Sequence, residues 1–181
     1  MSERKDRKVK KVLIPLVVAL MALLVLGSVL PVSASDPTSV PLDLIIDGRE
    51  TAQDIGDVVV TYDGAGQFNI VYTIIDPNWA LVETHVYLDG AAPTKSAPGS
   101  FPYTAADTII LTPAPGTTVY VAAHAELQMV DPITGDTILD PVTGLPIEET
   151  GWAQSAELSN TPIRPGKNWA TCIAWVPDPI G

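Results

Sequence analysis

Prolines and glycines occur at short intervals along the chain after its first 34 residues. This spacing of turn-forming residues is the sequence feature that most constrains the fold. The 181-residue chain has 17 prolines and 13 glycines, and the runs between them are rich in valine, isoleucine, threonine and tyrosine. Such runs favour strands, and short strands separated by regular turns are typical of sandwiches and barrels. The sequence therefore predicts an all-β fold, a single antiparallel β-sandwich (Ig-like or jelly-roll-like) of about seven to nine strands.

Alternating apolar residues indicate where the strands lie. The predicted strands cover residues 42–47, 57–62, 67–75, 80–88, 108–112, 117–129 and 169–176, with a weaker one at 151–156. The DGAG sequence at 63–66 is expected to join the second and third of them as a tight hairpin.

The first 34 residues have the order of a Sec-type signal peptide, which predicts a leader helix outside the fold. Six basic residues precede an apolar run at 12–26, and Val32 and Ala34 occupy the −3 and −1 positions of a cut before Ser35. The alternative is an uncleaved N-terminal anchor, because the apolar stretch 12–30 would just cross a bilayer. The protein is expected to be secreted or held at the cell surface, with a linker at 35–41 and the sandwich at 42–181.

Cleavage of the leader would leave a strongly acidic protein. It removes six of the 10 basic and two of the 21 acidic residues, so four basic and 19 acidic residues remain, a net charge of −15. Such a surface repels phosphate groups, which argues against nucleic acid and, after cleavage, against anionic membranes as partners. It attracts divalent cations and cationic partners.

A repeat at 130–148 predicts a β-ribbon or long loop inserted into the sandwich. DPITG at 131–135 returns as DPVTG at 140–144, and in each copy Asp can cap a turn, Pro fixes φ and Gly takes the positive-φ position. Calcium binding there is the alternative, since acidic turns supply oxygen ligands. The DxDxDG spacing of a calcium loop is absent, however.

The two histidines have the most suggestive spacing in the chain. Glu83 and His85 are expected to share one face of their strand, and His124 and Glu126 one face of another, because side chains alternate across a strand. If the two strands are adjacent, all four side chains come within cross-strand distance. Two nitrogens and two carboxylates suit zinc or another borderline divalent ion at a shallow, open site. If the strands are not adjacent, the histidines belong to a surface or structural polar network. In either case, both are expected on the polar faces of their strands, outside the core.

The remaining candidates are a cysteine and the tryptophans. Cys172, the only cysteine, lies among alternating small apolar residues, which predicts a buried, inert thiol; an intermolecular disulfide is the minor alternative. Trp79 and Trp152 follow turn residues and are candidates to stack on a carbohydrate ligand, although a tryptophan at a strand start more often packs over the core. No sequence signature of a serine hydrolase, zincin or phosphate loop is present, so catalytic residues are not assigned.

Several motifs occur in one order along the chain. They are WALVETHVYLDG at 79–90, PGSFPY at 98–103, AAHA at 122–125, EETGWA at 148–153 and GKNWATC at 166–172. This arrangement resembles a class of secreted β-rich domains with W-x-L-x-E-T-H-x-Y-x-G, P-G-x-F-P-Y, A-A-H-A, E-T-x-W-A and G-x-N-W-A-T motifs. The resemblance implies architecture and export, and carries over no activity. It puts Glu83, His85, His124, Glu149 and Trp152 inside the shared motifs, whereas the DPxTG repeat and Cys172 depart from them.

Three functions fit these observations. The first is a non-catalytic extracellular or cell-surface module that binds a carbohydrate or protein surface. The second is a small metal-dependent enzyme or metal-binding protein that uses His85, His124 and the neighbouring carboxylates, with zinc or calcium as the cofactor. The third is a structural component that polymerises through edge strands.

The leader gives a direct prediction about processing. Protein recovered outside the membrane is expected to begin at or near Ser35, because a signal peptidase requires small residues at −1 and −3. N-terminal sequencing measures this, and an intact Met1 in the membrane fraction would support the anchor instead.

Overall fold

Antiparallel strands form nearly all the regular structure of the described residues, as the alternation of apolar residues predicts. The computed structural model describes residues 38–46, 52–166 and 169–177; the predicted leader lies outside these ranges. The strands are β1 (Thr38–Ile46), β2 (Gln53–Tyr62), β3 (Gln67–Ile74), β4 (Trp79–Asp89), β5 (Ile109–Ile110), β6 (Val119–Met129), β7 (Glu148–Gln154), β8 (Asn160–Pro162) and β9 (Thr171–Trp175). Within the described ranges the helical content is one 3₁₀ turn at Pro98–Ser100, and no helix is long and apolar enough to cross a membrane.

Strand β6 is the centre of the sheet. One edge of β6 pairs with β4. The other edge pairs with β7 near the C-terminal end of β6 and with β9 near the N-terminal end of β6. From β7 the sheet continues through β1, β2 and β3 to β5, and from β9 it ends at β8. Every one of these pairings is antiparallel.

The sheet folds over itself and encloses one main core, which confirms the predicted sandwich. The Tyr72 hydroxyl of β3 donates a hydrogen bond to the His124 carbonyl of β6 at 3.2 Å, and the rings of Phe68 and Trp175 meet edge-on, with centroids 6.1 Å apart. Between the layers lie Leu42, Leu44, Val58, Val60, Phe68, Ile70, Val86, Val119, Val121, Ala123, Ala125, Leu127 and Ile173. Burial of this apolar surface is the main force that stabilises the fold.

The other face of β6 carries a smaller apolar cluster. It contains Phe101, Ala122, Trp152, Ala170 and Cys172. Cys172 is free and buried, as predicted, and burial raises the pKa of its thiol. A thiol that resists ionisation in an apolar setting is a poor nucleophile.

Some strand limits differ from the prediction. β1 begins at Thr38, inside the stretch assigned to a linker, even though it contains Pro41. On the side of β7, only residues 43–46 of β1 are paired. Pro41, which has no N–H group, therefore breaks no hydrogen bond on that side. The short edge strand β8 was not predicted, because three residues carry too little alternation to be recognised.

The repeat at 130–148 forms two tight turns, as predicted. The carboxylate of Asp131 accepts hydrogen bonds from the amides of Ile133 and Thr134, and that of Asp140 accepts the equivalent pair from Val142 and Thr143. Gly135 and Gly144 have φ values of 77° and 69°. Isolated bridges join Val130 to Thr137 and Leu139 to Pro146.

Gly56 is the glycine that the sheet most requires. A Cβ atom there would clash with the Thr73 carbonyl oxygen and lie 3.0 Å from the Ile74 Cα on the neighbouring strand, whereas a Cβ at Gly90 would meet nothing within 4 Å. We expect Gly56→Ala to lower the free energy of unfolding by about 1–3 kcal/mol and Gly90→Ala to change it by less than about 0.5 kcal/mol. Denaturant unfolding measures both, and equal effects would contradict the assigned strand packing.

Candidate metal centre

The two strands that carry the histidines are adjacent, which the sequence left open. β4 and β6 pair directly, with His85 opposite His124 and Glu83 opposite Glu126. Antiparallel neighbours place the Cβ atoms of opposed residues about 5 Å apart. Both E-x-H and H-x-E segments therefore meet on one face of the sheet, opposite to the main core.

A β-bulge at Val82 sets which side chains of β4 reach this face. The register between β4 and β6 shifts between Leu81 and Glu83, so one extra residue reverses the alternation there. Trp79 consequently packs into the main core, as do Val86 and Leu88 farther along. Regular alternation with the buried Val86 would put Val82 on the core side, but the bulge leaves it 59% exposed.

Three side chains converge beyond the bulge. The Nε2 atom of His85 lies 3.6 Å from an Oε1 atom of Glu83 and 3.6 Å from an Oε1 atom of Glu126. The three donor atoms all lie within 4.8 Å of one another. The His85 side chain is 14% exposed, while the two carboxylates are about half exposed, at 55% and 48%. The cluster is therefore open to solvent on its carboxylate side.

These separations suit a shared ion better than direct hydrogen bonds. A charge-assisted N–H···O bond is about 2.7–2.9 Å long, clearly shorter than 3.6 Å. Two donor atoms bound to a tetrahedral zinc ion at about 2.1 Å lie about 3.4 Å apart. Glu83, His85 and Glu126 could thus hold a metal ion once donor atoms that now lie up to 4.8 Å apart move closer together.

His124 lies beside this group but outside it. Its ring centroid is 5.7 Å from that of His85 and 4.9 Å from that of Trp152, which packs edge-on against it. His124 is only 3% exposed, and its Nδ1 atom is buried with no hydrogen-bond partner. His124 thus lies outside the main core, as expected, but it is buried and not open to solvent, because Trp152 of β7, directly opposite it, covers the imidazole.

Burial keeps the His124 imidazole neutral. Desolvation, and then the neighbouring His85, lower its pKa from 6.5 to about 4. A neutral imidazole retains a lone pair, which metal coordination requires.

A cleft of about 500 Å³ opens above the cluster. Its floor is the polar face of β4, β6 and β7, and its walls come from the loop after β4 and the segment before β9. It is lined by Glu83, His85, Ser96, Pro98, Gly99, His124, Glu126, Thr150, Trp152 and Trp169. Cavities of this volume hold small-molecule ligands.

Trp79 and Trp152 are both buried, the more common outcome for a tryptophan at the start of a strand. Trp79 belongs to the main core and Trp152 is 4% exposed, so neither offers a free indole face to a sugar. Trp169, which sequence reasoning passed over, is the partly exposed indole in the cleft wall, and it meets Trp152 edge-on at 6.4 Å. Its place in the G-x-N-W-A-T motif was the available signal, as PGSFPY was for Pro98 and Gly99.

The carboxylates of the DPxTG turns show no comparable convergence. Asp131 and Asp140 are both occupied with amides of their own turns, and these hydrogen bonds lower the pKa of each carboxyl. Among the described residues, Glu83, His85 and Glu126 are the group of three that could share an ion. The cluster on β4 and β6 is therefore the better metal candidate than the repeat.

The lowered pKa of His124 predicts a pH-dependent stability in metal-free protein. Between pH 6.5 and pH 4, this histidine is protonated in the unfolded chain but stays neutral in the folded protein. The free energy of unfolding therefore decreases as pH falls through this range, by up to about 3 kcal/mol in all. We expect His124→Phe, which keeps a ring against Trp152, to remove this part of the slope. Urea unfolding at several pH values with chelator present measures it, and identical slopes in both proteins would contradict a neutral buried His124.

The polar face thus combines three residues that could hold a metal ion, a buried neutral histidine and an open cleft. Comparisons of the chain with known protein families, with curated proteins and with solved structures find no match.

Proposed function

We propose that this chain is an exported binding module that holds one divalent transition-metal ion through Glu83, His85 and Glu126. The observation that carries the proposal is the approach of one imidazole nitrogen to two carboxylate oxygens at 3.6 Å each. Export is inferred from the leader, and it would leave the metal site on an acidic protein outside the cytoplasm.

The donor set favours zinc over calcium. Calcium takes six to eight oxygen ligands, and a site built around an imidazole nitrogen supplies too few. Zinc accepts nitrogen and carboxylate donors together and needs only four ligands in all. Three protein donors would leave at least one coordination position facing the cleft, as in zinc sites that bind an exchangeable ligand.

Charge supports the same assignment. None of the described residues that line the cleft is a lysine or an arginine, and the acidic residues among them are Glu83 and Glu126. Two carboxylates and a neutral imidazole would balance a divalent ion. The net negative charge of the processed protein would raise the local concentration of cations.

His124 is the candidate for a fourth ligand. Its unpartnered Nδ1 atom is costly to bury, about 1–3 kcal/mol, and a rotation that brought a ring nitrogen to the ion would relieve that cost. The alternative role is packing, in which His124 keeps His85 in place through ring contact. Substitution separates the two, because losing a ligand weakens metal affinity more than losing a support.

Calorimetric titration with zinc chloride at neutral pH tests the proposal. We expect one zinc ion per chain, weaker binding of calcium, and a loss of at least about 100-fold in zinc affinity for His85→Ala, since supporting residues alone change affinity by about 10–100-fold. Glu83→Gln and Glu126→Gln should also weaken binding, because a neutral amide is a poorer ligand than a carboxylate.

Two variants serve as controls. Glu148→Gln removes an exposed charge from neighbouring β7 and should leave zinc affinity almost unchanged, as should Cys172→Ser. Absence of zinc binding in the unaltered protein would refute the proposal. Equal losses for Glu148→Gln and Glu83→Gln would reduce it to a general attraction of cations by an acidic surface.

A further inference from the structure

The cleft above the cluster has walls that the metal alone does not need. On one side lie Pro98, Gly99 and the buried hydroxyl residue Ser96, and on another the partly exposed indole of Trp169 and the exposed residue Thr150. A bare ion-binding site needs only its donor atoms. An open cleft of about 500 Å³ with one aromatic wall and two hydroxyls has the size and the polar groups of a site for a small organic ligand.

Electrostatics indicates that this ligand is uncharged. Once a divalent ion is bound, the charges of Glu83 and Glu126 are balanced, and no described lysine or arginine of the lining is present to attract an anion. A carboxylate ligand would gain the ion but would add a third negative charge beside Glu83 and Glu126 and leave the site with a net negative charge. Neutral oxygen donors gain the ion without that repulsion.

The position of the cleft argues against a peptide in extended form. The cluster lies on the face of paired strands β4, β6 and β7, where the backbone N–H and C=O groups already bond to one another. Peptides that add to a sheet need a free strand edge. A compact ligand that meets side chains and an ion fits a sheet face better.

The indole of Trp169 in the cleft wall indicates that the ligand has an apolar surface in addition to its oxygen atoms. Trp152 is buried and supports Trp169 edge-on, which would hold the second indole in a fixed orientation. An ordered indole is suited to contact a flat array of C–H groups. Saccharides combine such a face with adjacent hydroxyl groups, and two vicinal hydroxyls can bind one zinc ion whose coordination expands to five ligands, three of them from Glu83, His85 and Glu126.

We propose that the metal-loaded cleft binds a saccharide, with two vicinal hydroxyls on the ion and the C–H face of the sugar on Trp169. This inference rests on the proposed function, because the ion supplies the main contact. Ser96 and Thr150 are positioned to hydrogen-bond further hydroxyls of the same sugar. Trp152 is a positioning residue that acts through Trp169.

The test uses the exported protein produced from the full chain and loaded with zinc. Binding is measured on an array of glycans that covers cis and trans diols, and by tryptophan fluorescence with methyl α-D-mannopyranoside. We expect saturable binding that chelator abolishes, that the fully O-methylated mannoside does not reproduce, and that Trp169→Ala weakens by at least about 10-fold. Trp79→Phe, which alters a core tryptophan outside the cleft, should retain binding.

Zinc titration of the same variants separates this inference from the proposed function. Trp169→Ala should bind zinc as tightly as the unaltered protein, whereas His85→Ala should lose both zinc and saccharide. Zinc binding without saturable binding of any glycan would overturn the saccharide inference alone. Glycan binding that survives chelator or Trp169→Ala, or stronger binding of acetate or of a basic peptide than of any glycan, would also overturn it.

Discussion

The pairing of β4 with β6 is the interaction on which the rest of the structure depends. It joins two eleven-residue strands, the longest of those described, and β6 in turn holds β7 and β9 on its other edge. One side of this pair provides a large share of the core, and the other side carries the histidines. A change of one residue in its register would exchange the two faces.

The bulge at Val82 reconciles two demands on β4. Trp79, at the start of the strand, packs into the core, and so does Val86, yet an odd and an even position cannot share a face of a regular strand. One extra residue between them allows both to be buried and leaves Glu83 and His85 outside. Bulges often lie beside functional sites for this reason.

The side chains of the polar face differ in how far they are exposed to solvent. His124 and Trp152 lie beneath, shielded from water, while Glu83 and Glu126 stand about half exposed above them. The neutral state of His124 follows from this arrangement, because desolvation disfavours its charged form. The exposed carboxylates can exchange partners with solvent at low cost, which suits a site that takes up an ion from outside.

The sequence by itself determined the local features of this protein. Alternation identified most of the strands and assigned the core face of β6, the Asp-Pro-x-Thr-Gly pattern predicted its turns, and small neighbours predicted the burial of Cys172. The spacing of Glu83 with His85 and of His124 with Glu126 fixed which side chains share a face. Each of these properties depends on residues within a few positions of one another.

Only the tertiary structure decided which strands meet and what covers them. His85 opposes His124 because of a register between segments nearly forty positions apart, and the burial of His124 comes from Trp152 on a third strand. Neither relation can be predicted from the alternation of apolar and polar residues, since that pattern does not say which strand pairs with which. The bulge at Val82 was equally hidden, because it resolves a conflict between faces that exists only once β4 lies against β6 and the core.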